Sequence, residues 1–183
     1  MSVDERDSEV LALQIGRPLR ATSAVLRRCD LGLPIVAEVP PILDTGEPFP
    51  TRYWLTCPLG HRRIARVEAQ GGVRAAQERI AADSELSNAV EAAHARYARE
   101  RDALLPEGTR HRPSGGVGGS SGGVKCLHAH YADFAAGNDN PIGQHVHDMI
   151  GVPHCELPCV AVIDGELQRN PHWQEPTDDK DPR

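Results

Sequence analysis

The sequence predicts a single α/β domain of the α+β kind, a small and mostly antiparallel sheet packed with helices, and three observations predict it. Short β-branched and aliphatic runs separated by turn residues fill the first third of the chain. From residue 84 onward, Leu86, Val90, Ala93, Tyr97 and Leu104 recur at the helical period with charged residues between them. The chain has 183 residues, 39% of them apolar, which suffices for one hydrophobic core and is too little for two large ones.

The elements follow in order. Residues 4–15 carry Val10, Leu11, Leu13 and Ile15 among charges, an amphipathic helix ended by Gly16-Arg17-Pro18. Residues 21–28 and 34–39 read as a hairpin turning at Asp30-Leu31-Gly32, with Cys29 at the turn. Prolines and Gly46 make residues 40–50 a loop, and Arg52–Thr56 a third strand. Pro58 then opens a helix to about Gln70, capped by Thr56 or Cys57. Gly71-Gly72 separates it from a helix over 73–82, and Asp83 or Ser84 starts the long one that Pro106 stops. Residues 107–123 turn to Gly, Ser and Pro, the composition of a flexible loop. Helices over 124–136 and 141–150 and a strand over 159–163 complete the reading. The domain is expected to span 1–173, with 174–183 a disordered tail.

Aromatics are only 4%, which predicts a core of Leu, Val, Ile and Ala rather than stacked rings. A net charge of −6, with arginines scattered among acids, argues against nucleic-acid binding. The N-terminus lacks a basic region followed by an apolar one, and no apolar run approaches the length of a membrane span. A cytoplasmic protein with no membrane partner is expected, its small-molecule or protein partner unspecified. In a reducing compartment, five cysteines read as free thiols, metal ligands or catalytic groups rather than as disulfides.

Three cysteines have a second soft ligand four positions on: Cys57 with His61, Cys126 with His130, and Cys155 with Cys159. On a helix such pairs share a face. Cys57, at a strand-to-helix junction, would meet unpaired N–H groups and the positive helix end, which stabilise a thiolate; its competing role is a small buried residue closing the corner. The segment Cys126-Leu127-His128-Ala129-His130 leaves at least two donors together whether helical or extended, and thiolate with imidazole suits zinc or iron; its competing reading is a helix N-terminus with one core cysteine. Cys155-x-x-x-Cys159 has the spacing of a zinc knuckle and needs partners elsewhere. The glycines 118–123 before Lys125 fail as a phosphate loop, because Val124 intervenes and Cys126 replaces the required hydroxyl.

At Pro48-Phe49-Pro50-Thr51-Arg52-Tyr53-Trp54-Leu55-Thr56-Cys57-Pro58, again at Val124-Lys125-Cys126-Leu127-His128 and at Asn140-Pro141-Ile142-Gly143, the chain resembles the bacterial domain-of-unknown-function family numbered 501. The likeness runs over roughly residues 15–163, and it implies no activity, substrate or cofactor. By that resemblance Cys29 matches an Arg-Cys element, Cys57 a Thr-Cys-Pro, Cys126 and His128 a Lys-Cys-Leu-His, and Cys159 a late cysteine. Asp30 stands where a proline is common, and His61 and Cys155 do not belong to the motif.

The leading functional expectation is a metalloprotein holding zinc or an iron–sulfur cluster through Cys29, Cys57, Cys126 and Cys159, helped by His128 or His130. Two others stand beside it: a thiol enzyme with Cys57 as catalytic nucleophile, and a non-catalytic interaction protein with structural cysteines.

Overall fold

The computed structural model describes residues 4–177, and it is an α+β fold of six α-helices and two small antiparallel sheets. Helix α1 (Glu5–Ile15) is capped by Asp4, whose side chain accepts from the Arg6 N–H, and closed by Gly16 at φ 77°. Strands β1 (Ala24–Arg28), β2 (Pro34–Glu38) and β3 (Tyr53–Leu55) form the first sheet with β2 in the middle. Because β2 is covered on both faces, Ile35, Val36 and Ala37 are all buried and its sequence shows no alternation.

Helix α2 (Pro58–Ala69) follows with Cys57 as cap and Pro58 at its first position, as the residue order dictates. Then come α3 (Gly72–Ala82), α4 (Ser84–Asp102), a 3₁₀ turn over Val117–Gly119, α5 (Leu127–Ala135) and α6 (Pro141–Ile150). Strands β4 (Val160–Ile163) and β5 (Glu166–Arg169) form a separate hairpin that packs on α1. The sequence reading omitted β5, although its signal was present. Asp164 and Gly165 both sit at positive φ, 54° and 85°, and make the two-residue turn that Asp-Gly favours.

The core is aliphatic, with Leu59, Ile64, Leu127, Ile142, Val146 and Ile150 almost wholly buried, but tyrosine has a larger part in it than 4% aromatics suggested. Tyr53, Tyr97 and Tyr131 are all buried, and the first two meet edge to face at 5.6 Å. The Tyr97 hydroxyl accepts the Arg52 backbone N–H at 2.6 Å. Burial pushes the Tyr97 hydroxyl up to about 12, against the pull of the Arg52 and Tyr53 amides. An unfolded tyrosine ionises near pH 10, so this group's contribution is whole below that pH and is lost as pH rises toward 12, about 3 kcal/mol in all. Denaturant midpoints followed from about pH 9 to pH 12 should fall, and Tyr97→Phe should flatten the fall. Tyr131, raised by the same cause, keeps it from vanishing.

The composition of 107–123 predicts a spacer without packing; the structure instead seats its second half on α4. Val117 is buried, and its N–H donates to His94 Nδ1 at 2.9 Å while His94 Nε2 meets the Gly123 carbonyl at 2.9 Å. Gly116 has no alternative there, since a Cβ would stand 2.3 Å from the His94 ring. Arg101 adds a hydrogen bond to the Gly115 carbonyl at 2.7 Å. The expected tail from 174 begins within the described residues, where Glu175 pairs with Arg66; residues 178–183 lie outside them.

Candidate metal centre

Two groups of ligand-type side chains lie around α2, one on its flank and one at its start. The flank group joins Glu68 of α2 to Cys126 and His128 at the start of α5. Helix α5 begins at Leu127, so Cys126 is its cap residue in extended backbone and His128 lies in its first turn. His128 Nδ1 is 3.2 Å from Glu68 Oε1 and 3.7 Å from Cys126 Sγ, and one ligand atom from each of the three lies within 4.8 Å of the others. Among the described residues this is the group of three or more that reaches such spacing. Glu68 also accepts the Leu127 N–H at 2.6 Å, which ties α2 to the orphan donors of α5. His128 Nε2 meets the His61 carbonyl at 3.1 Å, and the two rings lie 4.3 Å apart.

All three are half-buried, so the group borders solvent rather than the core. Burial raises the Cys126 thiol, and the Glu68 carboxylate opposes its ionisation further. The same burial, with His128 adding to it, lowers His61. A cation between Cys126 and Glu68 would reverse the penalty on the thiolate.

The second group lines a cavity of about 20 Å³ where α1, the β1–β2 turn, the start of α2 and the α6–β4 connection meet. Cys29, Cys57, Cys155 and Cys159 all face it, with Gln14, Pro153 and Trp173. The thiol of Cys57 accepts the Gly60 N–H at 3.5 Å, as a helix cap should. The expected acidification does not result. Burial dominates and pushes Cys57 up to about 12, with Cys155 and Cys159 opposing its charge and the Gly60 and Leu59 amides too weak to compensate. The helix-terminus effect is worth a fraction of what desolvation costs a thiolate at this depth. Without a cation, Cys57 is a protonated thiol with poor nucleophilicity.

The six residues expected as ligands are therefore distributed over three places. Cys29, Cys57 and Cys159 share one cavity, and Cys155, which the motif had set aside, joins them. Cys126 and His128 belong to the flank of α2 with Glu68. His130 belongs to neither. Its Nδ1 meets Asn140 Oδ1 at 3.1 Å in a buried polar network, where Asn140 donates to Asp133 at 2.8 Å and Arg96 to the same carboxylate at 2.5 Å. Burial brings His130 down to about 4, the state of an uncharged structural histidine. Glu68 escaped the sequence reading because a lone glutamate on a helix carries no signal; its place one heptad after His61, on the same stripe, was the available clue.

No helix of the described residues is long and apolar enough to cross a membrane. No curated protein matches the chain, and no solved structure matches it. A family model does, over residues 25–148, and takes in Glu68, Cys126 and His128 while ending before Cys155. With about two thirds of its length so matched, the chain belongs to the family described as protein of unknown function (DUF501).

Proposed function

We propose that the protein is a zinc-binding protein whose metal is held by Glu68, Cys126 and His128. The observation that carries the proposal is the mutual approach of one carboxylate, one thiol and one imidazole donor within 4.8 Å, from two helices far apart in sequence. The donor set is mixed and borderline-soft, which suits zinc. An iron–sulfur cluster takes four thiolates as a rule, and this group has one. A carboxylate has about four acceptor positions on two oxygens, so Glu68 can serve the Leu127 N–H and a metal together. Three protein ligands leave a fourth position for water or substrate, the arrangement of zinc sites that do chemistry rather than hold a fold together.

Elemental analysis of freshly purified protein tests the proposal, read with its absorption spectrum. The expected result is at least one zinc per chain and no visible colour. Folded protein that is metal-free and takes up no zinc at about 1 μM free metal would refute it.

A further inference from the structure

We propose that Cys29, Cys57, Cys155 and Cys159 form a second, closed zinc site that fastens the segment after α6 to the rest of the fold. It rests on a cavity lined by none of the three residues named above. Four thiols from three separate stretches of chain line a single small cavity, with apolar Leu59, Pro153 and Trp173 around them. A cavity of about 20 Å³ has room for one ion. Four cysteines with no position left over are the ligand set of structural zinc.

The surroundings are those of a thiolate centre. Gly60 N–H donates to Cys57 Sγ at 3.5 Å, and the Gln14 amide donates to Cys159 Sγ at 3.5 Å while its other bond, to the Pro34 carbonyl at 3.0 Å, fixes which end is nitrogen. The buried Trp173 indole N–H points its polarity at Cys155 and favours that residue's thiolate. Donors aimed at sulfur are what outer partners of metal thiolates supply. The fully buried Arg63, which donates to the Ile150 carbonyl at 2.8 Å, adds positive charge near Cys155. Four thiolates on one zinc carry a net charge of about −2, so a buried cation beside them lowers the cost of holding that charge out of water.

No three of the four sulfurs lie within 4.8 Å of one another. Tetrahedral zinc with Zn–S near 2.3 Å sets them about 3.8 Å apart, so the ion would draw the α6–β4 connection inward. Two thiols belong to that connection, which in turn leads to the β4–β5 hairpin. Each thiol that binds releases its proton to solvent, and no electron transfer is involved.

The test uses the full-length, zinc-loaded protein. Its cysteines are alkylated with and without EDTA and mapped by mass spectrometry. The expected result is that EDTA speeds modification of Cys29, Cys57, Cys155 and Cys159 together by about tenfold or more, and that metal analysis finds two zinc per chain. Cys159→Ser should remove one zinc and Cys126→Ser the other, so either site can fail alone. Should Cys159→Ser not fold, Cys29→Ser, at a half-buried turn position, replaces it. Equal modification rates with and without EDTA would overturn the proposal, as would a disulfide between any two of the four in freshly purified protein.

Discussion

Cys126→Ala is expected to weaken zinc binding on the flank of α2 by about a hundredfold or more while leaving the protein folded. Outer partners of a metal commonly cost ten- to a hundredfold when removed, and a direct ligand costs more. The stability cost should be small, because Cys126 is half-buried and makes no cap hydrogen bond for α5. His128→Ala should act alike. Glu68→Ala should differ, since it removes a ligand and also the acceptor of the Leu127 N–H. It is expected to cost about 1 kcal/mol of stability besides the affinity. Competition with a chromogenic chelator gives the affinities, and urea unfolding of the metal-free proteins gives the stabilities. Unchanged zinc affinity in Cys126→Ala would remove this group from consideration.

Gly143→Ala is the substitution expected to damage the fold most. Helices α5 and α6 pack closely, and at Gly143 an added Cβ would stand 2.2 Å from the His130 carbonyl oxygen and 2.5 Å from the Phe134 Cβ. Neither neighbour is the free end of a flexible side chain, so the helices must separate. Separation also strains the network that caps α6, where Asn140 Oδ1 accepts both the Gly143 N–H at 2.9 Å and the His130 ring. Overpacking of this kind costs about 3 kcal/mol or more. That is a large share of what a small domain has. Gly46→Ala makes a useful comparison: nothing lies within 4 Å of its Cβ, but its φ of 82° still costs about 1 kcal/mol. Unfolding midpoints of the two variants should differ accordingly, and equal values would mean that α5 and α6 can part cheaply.

The parts of the fold legible in the sequence were those with a local cause. The helix starts at Pro58 and Pro141, the cap at Asp83 and the hairpin turn after Cys29 are each written in two or three adjacent residues. The packed glycine run was illegible for the opposite reason. Gly116 is glycine because His94, 22 positions earlier, occupies its Cβ space, and composition alone reads such a residue as flexibility. The candidate centres divide in the same way. Cysteine and histidine drew attention through their chemistry, and Cys126 with His128 were named as ligands from two positions' spacing. Their third partner, Glu68, comes from another helix, and Cys155 joins Cys29 and Cys57 only through tertiary closure. Spacing along the chain cannot report such contacts. The helix-terminus argument for Cys57 failed on depth, which a sequence does not state.

Anomalous diffraction from a crystal of the zinc-loaded protein, recorded on both sides of the zinc absorption edge, is the most direct measurement. The account predicts a peak bounded by Glu68, Cys126 and His128. A zinc-loaded crystal with no anomalous peak beside those three side chains would contradict it.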